Sequence, residues 1–281
     1  MRILFVGDVV GRAGCEAVRR LLPGAIAGWN IDLAIVNGEN AAPGGFGITE
    51  PIYHDFIAAG ADAVTLGNHT WSRKEALAFI DDAPRLIRPL NYIAGAPGRG
   101  SAVVETKGGR RALVVNALGR LFMEPVEDPF GLIDRELAAH PLGEAVDATV
   151  VDFHAEASSE KMAAGYFCDG RASLVAGTHT HVPTADHRIL PRGTAYITDV
   201  GMTGDYDSII GIAKEEMLRR LTTGIPAGRF EAAEGQAALC GVAVETDDAT
   251  GLALHVAPVR IGGPLEQAAP PFWPQGVAAA G

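Results

Sequence analysis

The sequence predicts an α/β protein, on three observations. Five short apolar runs each stop at a glycine or a polar turn, helical stretches separate the early runs, and metal-binding side chains follow the run ends. The runs are Arg2 to Val6, Asp32 to Asn37, Ala61 to Leu66, Ala148 to Asp152 and Ala172 to Ala176. Each is rich in Val, Ile, Leu and Ala, the composition of strands buried on both faces. The stretches Gly14 to Ile26, Glu50 to Ala59 and Arg73 to Ile80 read as helices, with Thr49 and Ser72 as N-caps. Strands interleaved with helices of that length pair in parallel through crossovers.

The pattern changes near Pro89. Ser101 to Thr106 and Arg111 to Ala117 flank Lys107-Gly108-Gly109-Arg110 and read as a hairpin. A short helix is expected over Gly131 to Ala139 and another over Ser158 to Tyr166, before strand patterns return at Arg188 to Leu190 and Thr194 to Thr198. Gln236 to Glu245 and Gly251 to Ile261 form a last hairpin, and the Pro, Gly and Ala-rich end reads as a surface tail. No internal repeat or linker is apparent, so residues 1–261 are expected to form a single domain of two or three layers and 262–281 the tail.

With 281 residues and 48% apolar content the chain can bury one large core. A net charge of −11 argues against tight binding to duplex nucleic acid, whose affinity comes mostly from neutralising phosphates. A small anionic substrate is compatible with that charge, because bound metal ions supply local positive charge. Cys15, Cys168 and Cys240 lie far apart without CxxC spacing, which suits a reducing compartment and excludes a zinc ribbon. No window approaches ~20 uninterrupted apolar residues and none reads as a signal peptide, so the expected location is the cytoplasm, away from membranes. The apolar hairpin strands near the C-terminus could serve a core or an interface between copies, which leaves a homo-oligomer open.

Eight side chains of metal-binding type follow the run ends: Asp8, Glu39, Asn40, Asn68, His69, His154, His179 and His181. Open α/β sheets place their ligand crevice at the carboxyl ends of the strands. Two ions need a bridging anion with oxygen and nitrogen donors on both sides. Asp8 can hold one ion, Glu39 can bridge, Asn68 and His154 can hold the other, and the paired histidines can serve one each. In an extended His-x-His, alternate residues point the same way, so His179 and His181 both face a site if Thr180 points away. Mixed carboxylate, amide and imidazole donors favour iron, manganese or zinc over calcium. Singly, Asp8 reads as a helix cap, Asn40 and Asn68 as turn formers and His154 as a hydrogen-bonded structural residue; their joint placement makes the site. His54, His140, His187 and His255 lack it and read as structural. Arg12, Arg73 and Lys161 follow site segments and could reach a phosphate, with surface solvation the favoured role for each.

Gly7-Asp8-Val9-Val10-Gly11, Asn37-Gly38-Glu39-Asn40, Gly67-Asn68-His69-Thr70-Trp71, Asp152-Phe153-His154-Ala155-Glu156 and Gly177-Thr178-His179-Thr180-His181-Val182-Pro183-Thr184 together resemble the calcineurin-like metallophosphoesterases of the YmdB type, from residue 1 to about 261. The resemblance implies a four-layer αββα sandwich, a binuclear centre often containing iron, and phosphodiesterase activity on 2′,3′-cyclic nucleotides and similar esters. It assigns Asp8, Asn40 and His181 to one metal, Asn68, His154 and His179 to the other, and Glu39 to both. His69 is left as general acid. Val10, Glu39 and Thr70 depart from the wider superfamily, where histidine, Asp and an acidic residue are common, and they suit the YmdB type.

The expected reaction is attack on phosphorus by a hydroxide held between the ions, with His69 protonating the leaving ribose oxygen. A phosphomonoesterase and a metal-binding regulatory or scaffold protein acting through partners stand as alternatives. A metal-dependent amidohydrolase also uses His-x-His, but there the pair follows the first strand, which here ends in Asp8.

Overall fold

The computed structural model describes residues 1–274. In chain order the elements are β1 (Arg2–Val6), α1 (Gly11–Trp29), β2 (Leu33–Asn37), α2 (Glu50–Ala58), β3 (Ala63–Thr65), α3 (Ala76–Phe79), β4 (Leu86–Ile87), β5 (Ser101–Glu105), β6 (Arg111–Leu118) and α4 (Pro129–Ala139). They continue with β7 (Ala148–His154), α5 (Ser158–Cys168), β8 (Leu174–Thr178), β9 (Arg188–Ile189), β10 (Ala195–Ile197), β11 (Gly204–Asp205), α6 (Lys214–Thr223), β12 (Ala237–Thr246) and β13 (Ala253–Gly262).

Two sheets result. The first has the order β11-β12-β1-β2-β3-β4, with β13 also paired to β12; β1 through β4 run parallel and the C-terminal strands are antiparallel. The second has the order β5-β6-β7-β8-β10-β9, parallel from β6 to β10 with antiparallel edges. Side chains alternate across each strand. In β1, Ile3 and Phe5 face inward to meet Val114, Val150 and Leu174 of the second sheet. Leu4 and Val6 face outward to Val18 and Leu22 of α1 and Phe56 of α2. The second sheet repeats this: Val115, Val151 and Phe153 turn outward to Ile133 and Leu137 of α4 and Ala164 of α5. The layers are therefore helix, sheet, sheet, helix, as the resemblance implies, and not the two or three that the residue pattern alone suggests, because two separate sheets pack face to face. Strands covered on both faces explain the near-continuous apolar runs.

The expected hairpins at β5–β6, β9–β10 and β12–β13 are all present. Several boundaries differ. α1 starts at Gly11 and passes through Pro23 to Trp29, so neither glycine nor proline ended it, because its apolar face is buried throughout. α3 shrinks to a single turn, and Ser72 caps nothing; its hydroxyl lies 3.2 Å from His69 Nδ1 instead. α6 was not foreseen from the sequence. It has no buried residue, yet Glu216–Arg219 and Glu216–Arg220 pairs at helical spacing and a left-handed Gly224 at its end are sequence signals for it. The segment after Gly262 does not all lie on the surface: Trp273 is buried, with its ring centroid 6.0 Å from that of Trp29. Residues 275–281 of the expected tail lie outside the described residues. Among the described residues no helix is long and apolar enough to cross a membrane.

Candidate metal centre

Parallel strands of both sheets deliver the eight side chains to one edge. Asp8 follows β1, Glu39 and Asn40 follow β2, Asn68 and His69 follow β3, His154 closes β7, and His179 and His181 follow β8. Two glycines make room. A Cβ on Gly7 would overlap the carbonyl of Gly201, and one on Gly67 would fall on the Glu39 carboxylate and 2.5 Å from His154 Nε2. The Gly-Asp and Gly-Asn-His motifs thus carry glycine because the space is already filled.

Glu39 lies at the middle. Its Oε1 is 3.0 Å from His154 Nε2, and Asn40 Nδ2 donates to the same oxygen at 3.0 Å. Its Oε2 accepts the backbone N–H of His69 at 3.1 Å. Asn68 Oδ1 is 3.0 Å and His179 Nδ1 3.1 Å from His154 Nε2. On the other side, Asn40 Nδ2 is 3.1 Å and Asp8 Oδ1 4.0 Å from His181 Nε2. Two donor triads emerge, Glu39–His154–His179 and Asp8–Glu39–His181, each with its donor atoms within 4.8 Å of one another. Glu39 belongs to both.

Each histidine has its outward nitrogen engaged, which fixes the ring and leaves the other nitrogen to the centre. His154 Nδ1 is 2.8 Å from the Thr178 hydroxyl, and that hydroxyl donates to Asp152 Oδ1 at 2.6 Å. The hydroxyl therefore accepts from Nδ1–H, and Nε2 is turned toward Glu39. His181 Nδ1 donates to the Ile210 carbonyl at 2.8 Å, and His179 Nε2 meets Glu156 at 3.2 Å. Asp152 also accepts from Thr65 Oγ1 (2.6 Å) and Asn37 Nδ2 (2.9 Å), so one buried carboxylate of the second sheet ties β2 and β3 of the first directly beneath the site.

The His-x-His segment is not extended as expected. His179 and His181 have φ of 95° and 66°, left-handed values that cost a non-glycine residue about 1–3 kcal/mol each. The strain is held by Asp199, whose Oδ2 accepts both the N–H (3.0 Å) and the hydroxyl (2.6 Å) of Thr180 and pairs with Lys161 Nζ at 2.8 Å. Thr180 does point away, by a turn rather than by strand alternation. Lys161, expected at the surface, is buried because its chain runs under this turn.

Burial raises Asp8 and Asp152, the latter to about 6. Burial would also raise Glu39, but the adjoining His154 outweighs it and holds the carboxylate well below its usual range. Burial lowers His154, yet the anions Glu39, Asp8 and Asp152 overcome that and lift it to about 9. Burial and then His154 depress His179 to about 3. A proton on His154 is thus held by the same anions that a cation would satisfy. Asp8 Oδ1 and Asn40 Oδ1 are buried without a hydrogen-bond partner among the described residues. Orphaned oxygens beside imidazole nitrogens, with no thiolate, are a donor set that fits oxygen- and nitrogen-seeking metal ions.

His69 stands at the rim, half-buried, its ring edge-on to Phe46 with centroids 4.8 Å apart. It lines a cavity of about 200 Å³ together with Glu39, Asn40, His179 and His181. Sequence reasoning missed Glu156, Thr178, Asp199 and the Ile210 carbonyl as orienting groups, and Met217 and Phe230 as cavity walls. Glu156 and Thr178 stand inside the quoted motifs, so their proximity to ligand histidines was the available signal. Met217 and Phe230 carried none, because an unforeseen segment brings them in. Arg12 is exposed toward Glu234, and Arg73 braces Gly44-Gly45-Phe46-Gly47 by donating to the carbonyls of Pro43 and Phe46. Gly44, Gly45 and Gly47 have positive φ, so this segment is a glycine turn and also places Phe46 against the cavity.

The sequence profile described as YmdB-like protein matches residues 4–259. A 2′,3′-cyclic-nucleotide 2′-phosphodiesterase of Bacillus subtilis (strain 168) is 50% identical over 264 residues, spanning 93% of this chain and 97% of that protein. The crystal structure of a hypothetical protein from Thermus thermophilus superposes with a TM-score of 0.86 at 45% identity, over 94% of this chain and 100% of that one. That of a novel phosphatase from Mycoplasma pneumoniae gives 0.85 at 35% identity, over 96% and 95%.

Proposed function

This chain belongs to the YmdB-like family, and from that premise we propose that it is a two-ion phosphodiesterase acting on 2′,3′-cyclic nucleotides and related phosphate diesters. The observation that carries the proposal is Glu39, common to two donor triads and flanked by His69 at the mouth of a small cavity. In this reading Asp8, Asn40 and His181 hold one ion, Asn68, His154 and His179 hold the other, and Glu39 spans both. The donors suit iron first, with manganese or zinc as alternatives. Bound ions would supply Lewis acidity toward phosphoryl oxygens and bring the pKa of water toward neutrality.

The chain's own residues do the rest. Asp152, through Thr178, holds His154 in the tautomer that offers Nε2 inward. Glu156 engages Nε2 of His179 and leaves its Nδ1 inward, and the Ile210 carbonyl takes Nδ1 of His181 and leaves its Nε2 inward. His69 is free of the triads, with Nδ1 beside the Ser72 hydroxyl, and its protonated imidazole serves as the acid for the departing oxygen.

The test is hydrolysis of 2′,3′-cyclic AMP by protein loaded with Mn²⁺ or Fe²⁺, with products identified. Turnover to a single nucleoside monophosphate supports the proposal. Absence of turnover with two ions bound would reject this substrate class, and release of inorganic phosphate would favour a phosphomonoesterase.

A further inference from the structure

We propose that the cavity beside the centre is a subsite for the base of a mononucleotide, gripped between Phe46 and Phe230. The proposal deepens the phosphodiesterase reading and rests on it for the placement of the phosphate. The cavity is lined by groups of two kinds, the polar Asn40, His69 and His181 and the apolar Phe46, Ile210, Met217 and Phe230. A fitting ligand must join an anionic group to a flat apolar one.

The two rings come from separate segments, and an arginine steadies each. Arg73 Nε donates to the Phe46 carbonyl at 3.2 Å, and the glycines around Phe46 adopt φ values of 93°, 84° and 80° that set the ring over the site. The Arg220 guanidinium lies 4.0 Å from the Phe230 ring centroid, and its Nε pairs with Glu216 at 2.6 Å. Rings fixed before binding lose little freedom when a base stacks on them. The volume of about 200 Å³ falls below the ~300–1,000 Å³ of sites that enclose drug-sized ligands, so it takes one ring system and not an oligonucleotide.

The experiment is calorimetric binding of adenosine 3′-monophosphate and of inorganic phosphate to the metal-loaded full chain, for wild type, Phe230→Ala and Phe230→Leu. The wild type is expected to prefer the nucleotide by about tenfold or more, the yield of one stacked base. In Phe230→Ala that preference collapses, and in Phe230→Leu, which keeps apolar volume without a ring face, it falls part-way. Equal wild-type affinities for the two probes, or a preference unchanged in both variants, would overturn the inference. Hydrolysis of the cyclic ester is read separately: its absence with the binding preference intact rejects the activity and leaves the subsite standing.

Discussion

At the residue scale the centre depends on hydrogen bonds that point imidazoles. His154 is held by the Thr178 hydroxyl, which gives its own proton to Asp152 and so can only accept from Nδ1–H. Thr178→Val keeps the shape and removes both bonds, so metal affinity is expected to fall about 10- to 100-fold, with Thr178→Ser restoring most of it. Titration of Mn²⁺ into the apo-protein measures this, and an unchanged affinity in Thr178→Val would discount the relay. His69 sets a different expectation. Its replacement by alanine should leave both ions bound and lower kcat by ~10²–10⁴. Burial lowers its pKa from the ordinary 6.5. An acid must carry its proton, so kcat/KM should be highest below that lowered value and decline as pH rises through it. The wild-type pH profile should show this limb on the acid side of 6.5 and the alanine variant should lack it; identical profiles would remove His69 from the role.

At the element scale, what a segment buries decides how firmly it is held. α1 buries nine residues along 19 and forms one outer layer, whereas α6 buries none. Ion pairs centred on Glu216 and the bridge of Ile212 to Ala232 tie the α6 segment down, and ion pairs near the surface hold a segment only weakly. Amides of α6 are therefore expected to exchange with solvent far faster than those of α1. Hydrogen exchange followed by mass spectrometry checks this, and equal protection of the two helices would contradict it.

At the scale of the whole molecule, the two sheets are locked together by an apolar layer and by Asp152, which joins β7 to β2 and β3. The candidate centre takes Asp8, Glu39, Asn40 and Asn68 from the first sheet and His154, His179 and His181 from the second, so any slip between them would separate Glu39 from His154. The outer layer is closed by a residue far along the chain. Trp273→Ala, at a position 3% exposed against Trp29, is expected to cost about 3–5 kcal/mol, as for other buried aromatic truncations. Denaturant unfolding at equilibrium measures it, and a change within about 0.5 kcal/mol, the usual value for a surface site, would return this segment to the surface.

Local chemistry was legible in the sequence because strand ends announce themselves. Apolar runs stopped by Gly-Asp, Gly-Glu-Asn or Gly-Asn-His state both the strand and the side chain that follows it, and hairpin turns are marked by glycine. The parallel pairing of the main strands and the donor residues that folding gathers could be read in this way. Which residues surround those donors could not. The positive φ of His179 and His181 arises from Asp199 gripping Thr180, a contact across 19 positions, and Lys161 is buried because that same carboxylate pairs with it. Trp273 closes on Trp29 across nearly the whole chain, and the cavity wall comes from Met217 of a helix that buries none of its residues and from Phe230 beyond it. The sequence by itself determined most strand ends and the chemical donors, since these follow from periodicity and composition within a few residues, whereas the four layers were implied only by the family resemblance. Only the tertiary structure decided how the donors are aimed and what encloses them, because those depend on partners brought together by folding and carry no local pattern.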